Sequence, residues 1–253
     1  MSGTLPITAV ITTQDSGRSL SGTLVSLAGI VSEIIIVDSG STDDTLQIAG
    51  THGCKIIQKS WQGYGANKNM GIQSASQSWI LAIDSDEALS EELREWLLHD
   101  FHPLDVKSIY KIKSINFLGK HAIRFGAWGL NFNYKLFPSK NIVWDHSPVH
   151  EGLVYDPGQF TEVKINAPIL HHTCENIAQY KLKLDRYANA TISKYQSSGK
   201  KIYVWTPQAS AVFLFLKEFI FLGGFLDGKD GFDIALARSK SNLRKYKGLL
   251  NKK

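Results

Sequence analysis

The sequence predicts an α/β fold: a domain built on a mostly parallel sheet over residues 1–175, followed by a helical, basic C-terminal extension over 176–253. Three observations predict it. In the N-terminal part, short β-branched runs alternate with helical patterns, as in βαβ units. Each of those runs stops at polar residues, Asp among them. From Ile177 onward the periodicity becomes helical and stays so.

The elements follow in order. Ile7-Thr8-Ala9-Val10-Ile11-Thr12, Glu33-Ile34-Ile35-Ile36-Val37, Lys55-Ile56-Ile57 and Trp79-Ile80-Leu81-Ala82-Ile83 read as four strands. In open α/β sheets ligands bind outside the carboxyl ends of the strands, so Asp15, Asp38 and Asp84 are expected along one edge. Ser39-Gly40-Ser41-Thr42-Asp43-Asp44 reads as a tight turn running into a helix capped by Ser41 or Thr42. Trp61-Gln62-Gly63-Tyr64-Gly65 is a loop whose glycines allow close backbone approach, with a helix from about Ala66. Ser90-Glu91-Glu92 opens another helix towards Leu98. From about His102 the pattern is mixed strand and loop, rich in aromatics and histidine.

Beyond Ile177, Tyr180, Leu184 and Tyr187 recur at helical spacing among Lys181, Lys183 and Arg186. Ala209 to Leu226 is the most apolar stretch, yet Lys217-Glu218 in its middle and Gly223-Gly224 near its end argue against a bilayer-spanning helix. A buried or interfacial helix is expected there. After Asp233 the chain has no acid but carries Arg238, Lys240, Arg244, Lys245, Lys247, Lys252 and Lys253. That density suits anionic lipid head groups or nucleic acid, and equally a solvated helical face.

At 253 residues, with 43% hydrophobic and 20% charged content and a net charge of +5, the chain is an ordinary folded protein and not a disordered one. Cys54 and Cys174 stand in no zinc-site or disulfide spacing, which fits a reducing compartment. The N-terminus has no basic n-region, and Ile7 to Ile11 is too short for a signal peptide, so a cytoplasmic protein is expected.

The acidic run Asp84-Ser85-Asp86-Glu87 is the sharpest chemical feature. It places carboxylates just past a buried strand, where an extended backbone would turn Asp84 and Asp86 to one side. Hard divalent cations take such oxygens, and Mg2+ or Mn2+ usually accepts one or two carboxylates plus substrate phosphates. Asp84 and Asp86 are therefore the metal candidates, with Ser85 beside them at the donor. Asp38 offers a carboxylate to a ribose hydroxyl or base N–H, and Lys68 a cation to a phosphate or base. Each has a plainer reading as well: an acidic loop, a strand-ending turn, a surface lysine.

Together these segments resemble the family 2 glycosyltransferases, within them the small lipopolysaccharide-core β-1,4-glucosyltransferases that act on the inner-core heptose. The resemblance runs through Ile7 to Thr13, Ile34 to Thr45, Trp61 to Gly71, Trp79 to Glu87, Val149-His150-Glu151 and Gly223-Gly224-Phe225-Leu226-Asp227-Gly228. It implies a GT-A-type, Rossmann-like fold, with Asp15 near the base, Asp38 at base or ribose, and Asp84 with Asp86 at metal and diphosphate. The family usually has Asn-Glu after its first strand, where this chain has Gln14-Asp15. The resemblance further implies inversion at the anomeric carbon, which requires a general base. Glu151 is the candidate and Asp145 its rival, while His150 would ligate metal or meet phosphate. The implied reaction moves a hexose, glucose first, from a UDP-sugar to a lipid-linked core acceptor of lipopolysaccharide or lipooligosaccharide. It would run peripherally on the anionic inner face of the cytoplasmic membrane, with no nucleic-acid partner.

Two alternatives stand beside it. A nucleotidyltransferase also joins metal and nucleotide on a related sheet, but the N-terminus lacks a glycine-rich turn for a triphosphate. A non-enzymatic membrane-surface module would use only the basic C-terminal helices. His171 and His172 are assigned a weak acceptor-side role, and Trp61, Trp128 and Trp144 are candidate sugar-stacking faces.

Overall fold

A computed structural model describes residues 3–129, 131–147, 151–185, 188 and 203–250. The chain forms two compact units, one of Met1–Ser114 with Phe132–His171, the other of Ile115–Asn131 with His172–Lys253. Residues 115–131 thus group with the C-terminal part, although the sequence reading sets its boundary at 175.

The first unit is a mixed sheet with helices. Strands β1 (Leu5–Thr13), β2 (Val31–Asp38), β3 (Lys55–Gln58) and β4 (Trp79–Ala82) are parallel, in the order β3-β2-β1-β4. The sheet then turns antiparallel: β8 (Phe132–Pro138) pairs with β4, and β6 (Ser108–Leu118) with β8. Beyond them lie β11 (Thr161–Cys174) and β5 (Glu87–Leu89). A two-stranded hairpin of β9 (Val143–Trp144) and β10 (Leu153–Val154) stands apart.

Central strands covered on both faces read as near-continuous apolar runs; β4 is apolar throughout, and β1 departs from that only at Thr8, Thr12 and Thr13. Ile7, Ala9 and Ile11 of β1 and Trp79 and Leu81 of β4 enter one core with α1 (Leu20–Leu27) and α4 (Glu91–His99). The alternate residues Val10, Ile80 and Ala82 enter a second core with Phe137 and Trp144. Helix α4 starts as expected: Ser90 Oγ accepts from Leu93 N at 3.1 Å, with Glu91 and Glu92 in the first turn. Helix α2 (Thr45–Thr51) starts later than its sequence suggests, because Ser41 and Thr42 are used elsewhere and Asp43 Oδ1 accepts from Thr45 N instead. Helix α3 (Tyr64–Gln73) follows Gly63, whose φ of 108° favours glycine.

In the second unit the outer end of β6 pairs with β7 (His121–Ile123). Leu118, Ile123, Trp128, Tyr180, Ile234 and Ala237 form its core. Trp128 meets Tyr180 edge to face and donates from Nε1 to its hydroxyl at 3.3 Å. Tyr180 lies on α5 (177–185), the helix expected from Ile177. The apolar stretch to Leu226 is not one helix. Helix α6 (Thr206–Leu216) runs into a π-helical turn at Lys217–Phe221, breaks at Gly223 with φ 72°, and resumes through a 3-10 turn into α7 (Gly228–Leu250). Among the described residues no single helix is long and apolar enough to cross a membrane, and α6 and α7 meet at a 70° bend.

Candidate active site

Because β1, β2 and β4 are parallel, their carboxyl ends lie at one edge, and the loops that leave them are laced together. Asp15, just past β1, donates from N to Ser41 Oγ (2.9 Å) and accepts at Oδ1 from Thr42 N (2.7 Å) and Thr42 Oγ1 (3.2 Å). Its φ of 49° is left-handed, a conformation Asp tolerates better than most residues. Ser85, past β4, bonds Ser16 Oγ at 2.9 Å. Asp38, the last residue of β2, is fully buried. Its Oδ2 accepts from Gly40 N (2.9 Å) and Ser41 N (3.0 Å), its Oδ1 from Ser41 Oγ (2.5 Å) and Thr13 Oγ1 (3.1 Å). A carboxylate has about four lone-pair sites, so Asp38 is saturated. A direct bond from Asp38 to ribose or base would require one of these to be given up.

The run Asp84 to Asp86 is a turn and not the extended backbone expected, with Glu87 N donating to Asp84 O at 3.0 Å. The two carboxylates consequently meet different partners. Asp84 Oδ2 faces Lys135 Nζ at 3.4 Å and its Oδ1 faces Lys68 Nζ at 3.9 Å, whereas Asp86 Oδ2 faces His171 Nε2 at 3.4 Å. Beneath them Glu87, only 2% exposed, accepts at Oε2 from Lys135 Nζ (2.5 Å) and from Asp84 N (2.9 Å). Glu87 stands opposite His171 in the β5–β11 pairing, and Lys135 lies on β8 beside the register partner of Leu81. This buried lysine is the anchor of the acidic turn.

The charges tune one another. For Asp84 burial alone would raise the pKa, but the Lys135 and Lys68 ammonium groups hold it well below the usual carboxylate range. Burial works to lower Lys135, and Asp84 and Glu87 outweigh it and push it up. Burial likewise opposes the charge on His171, and the Asp86 carboxylate raises it. Burial pushes Glu87 upward, so its ionisation depends on Lys135.

Three consecutive residues of α3 reach three different elements, since successive side chains on a helix are about 100° apart. Asn67 Nδ2 donates to Ser39 Oγ at 2.9 Å. Lys68 lies between Asp84 and Glu151, donating to Glu151 Oε1 at 2.7 Å, with its ammonium 4.5 Å from the centre of the Trp144 ring. Asn69 clamps the Trp144 backbone, donating from Nδ2 to O and accepting at Oδ1 from N, both at 2.8 Å. Gly65 permits this docking: a Cβ there would lie 1.8 Å from the Asp145 carbonyl oxygen.

Asp84, Lys68 and Glu151 are therefore gathered into one array, and Asp86 with His171 adjoins it through the turn. Asp145 is not in it: its Oδ1 accepts from Ser147 N at 2.9 Å, which lowers its pKa. His150 lies outside the described residues. Trp61 is 47% exposed and edge to face with Tyr64, whereas Trp128 and Trp144 are buried. Lys135 carries no expectation from the sequence, and Glu87, though named in the acidic run, is given no role of its own; His171, expected on the acceptor side, faces Asp86. A lysine between Tyr134 and Leu136 in an apolar strand was the available signal for Lys135.

Among the described residues no group of three or more His, Cys, Asp and Glu side chains is placed to hold a metal by itself. Asp84 and Asp86 nevertheless suit a hard divalent ion, because such ions take one or two carboxylates and complete their shell with phosphate and water. Both side chains are reachable from solvent, at 41% and 32% exposure.

A parallel half-sheet continued by antiparallel strands, with an acidic turn at the strand ends, defines a GT-A-type α/β transferase. The chain belongs to glycosyl transferase family 2, whose profile matches residues 8–174. An uncharacterized glycosyltransferase of Rickettsia prowazekii is 31% identical over 236 residues, covering 89% of this chain and 80% of that one. A lipopolysaccharide core biosynthesis glycosyltransferase, LpsC of Rhizobium meliloti, is 27% identical over 244 residues, covering 90% and 88%. In fold the chain is similar to the crystal structure of S. aureus TarS 1-349, with a TM-score of 0.50 and 14% identity over 98% of this chain and 92% of that one. Family membership sets aside the nucleotidyltransferase and the non-enzymatic module.

Proposed function

We propose that the chain is an inverting hexosyltransferase that moves glucose from UDP-glucose to a lipopolysaccharide or lipooligosaccharide core acceptor, working at the inner face of the cytoplasmic membrane. The core acceptor is supported by the likeness to LpsC. The observation that carries the chemistry is the single lysine, Lys68, lying between Asp84 of the acidic turn and Glu151. It ties a donor-side carboxylate to a carboxylate suited to deprotonating an acceptor.

In this reading Asp84 and Asp86 hold Mg2+ or Mn2+ together with the donor diphosphate, with Ser85 and Asp15 shaping the donor edge. A divalent ion, when bound, neutralises charge on the leaving UDP. Asp38 builds the turn that faces the nucleoside. Lys68 sits where a cation serves the diphosphate, and Lys135 fixes Asp84 from below. The acceptor hydroxyl oxygen forms a bond to the anomeric carbon as the bond to the diphosphate oxygen breaks. The hydroxyl proton passes to the Glu151 carboxylate, and UDP leaves with the bonding pair. One displacement inverts the centre.

Titration calorimetry of UDP with and without Mn2+ tests the donor half. Metal-dependent binding in the wild type that vanishes in Asp86→Ala is expected, and metal-independent or absent UDP binding overturns it. The base is tested separately: Glu151→Gln should keep UDP binding and lose transfer at least about a hundredfold, while Asp145→Asn keeps most of it. The reverse pattern would assign the base to Asp145.

A further inference from the structure

The second unit turns an apolar helix face outward. Trp205, Val212, Phe213, Leu216 and Ile220 recur at helical spacing and are 38–82% exposed together with Val204 beside them. At the bend, Phe221 (77%), Phe225 and Leu226 are exposed as well. A helix on a globular protein normally turns such a stripe inward, and contiguous apolar surface of this extent marks an interaction site.

Its charges are arranged to match. Between Tyr203 and Leu226 the only acid is Glu218, which is 3% exposed and accepts from Arg238 Nε at 2.7 Å. Asp227, next in line, is turned onto the backbone N–H groups of Arg124 and Phe125. The charged residue left exposed within this stretch is Lys217. Tyr203 and Trp205, stacked at 11° between ring planes, stand at the start of α6, where amphipathic rings suit the head-group level. The basic tail is partly engaged within its own unit: Arg238 is taken by Glu218, and Arg244 pairs with Asp185 at 2.8 Å.

We infer that the α6 face and its bend at Phe221–Leu226 insert into the acyl boundary of an anionic bilayer, so that apolar burial holds the protein there and the basic residues only assist. An apolar stripe without exposed acids, bordered by Lys217 and interfacial aromatics, is complementary to an anionic lipid surface, whereas a polar partner would find few hydrogen-bonding groups along it. The inference rests on the membrane part of the proposed function and not on which sugar is transferred.

Flotation of the full chain with vesicles of equal parts phosphatidylethanolamine and phosphatidylglycerol, without donor or acceptor, tests it. Wild type should float and stay largely bound in high salt. Phe213→Asp with Phe221→Asp should weaken binding at least about a hundredfold, since each buried phenyl is worth roughly tenfold or more. Their exposure predicts an unchanged circular dichroism spectrum. Lys240→Ser with Lys247→Ser should weaken binding by no more than about thirtyfold, roughly fivefold for each lysine. Release of the wild type by salt would assign attachment to the basic tail and overturn the inference. So would a dimer in light scattering that the two Phe substitutions dissolve, because the face would then belong to a second copy. UDP binding by the unattached double variant would show that the donor site stands whatever happens to the membrane face.

Discussion

Each unit encloses a glutamate that is almost fully buried beside a cation, and the two pairs behave differently. In the first unit Glu87 and Lys135 begin a chain of charges that leads through the partly exposed Asp84 and on to Lys68 and Glu151. In the second, Glu218 bonds Arg238, which reaches Tyr180, which accepts from Trp128, and the series closes within the core. Glu218 Oε2 has no hydrogen-bond partner among the described residues. A buried ion pair is weak evidence for stability, so what matters is where it leads. The open network sets carboxylates where the proposed chemistry needs them, and the closed one withdraws an acid from an apolar surface.

The contrast is broken most forcefully at Lys135. Lys135→Ala strands Glu87 in the core without its cation, and a loss of about 3–5 kcal/mol is expected from urea denaturation. Lys135→Met with Glu87→Leu should recover most of that stability and leave Mn2+-dependent UDP binding lost, because Asp84 then loses its contacts to the Lys135 and Glu87 side chains and keeps only that to Lys68. Recovery of binding along with folding would show that the buried pair only stabilises.

At the closed network, Arg238→Met removes a charged hydrogen bond to Glu218 and should cost about 1.5–3 kcal/mol. Donor binding and transfer in solution should be unchanged. Impaired UDP binding in a folded Arg238→Met protein would erase the distinction between the two networks.

How much of this was legible beforehand differs along the same line. The four parallel strands were readable because each is a short apolar run ended by polar residues, and their parallel order sets Asp15, Asp38 and Asp84 at one edge without further information. Lys135 was not readable: its partners lie 48 and 51 positions away, across an antiparallel pairing that no local pattern announces. The saturation of Asp38 was equally hidden, since it depends on Ser41 and Thr13 converging on it. The same convergence delayed α2, whose expected caps had been drawn to Asp15 and Asp38. The exposed apolar face of α6 was half legible. Apolar content between Ala209 and Leu226 was plain, but the burial of Glu218, and the spending of Arg238 on it, required the fold.

The link between α3 and β9 gives a smaller effect on the open network. Gly65→Ala drives a methyl into the Asp145 carbonyl, and overpacking of this kind costs about 1–3 kcal/mol. The helix must shift, taking Lys68 with it, so transfer should fall more than UDP binding does. Equal falls in both would place Lys68 wholly on the donor side.

The smallest effect is expected where charges cluster without burial. Glu162 accepts from Lys111 Nζ at 2.7 Å and from the hydroxyls of Tyr134 and Tyr155, which together lower its pKa to about 2. A depressed carboxylate stabilises the fold above its ordinary value of 4.5, and that contribution disappears as pH falls towards 2. The stability difference between wild type and Glu162→Gln should therefore be constant near neutrality and close progressively below about pH 4.5. Its side chain is 39% exposed, so solvent screening keeps the difference small, and UDP binding should not change. A difference as large as that at Lys135 would mean that the number of partners, and not burial, decides what such a network is worth.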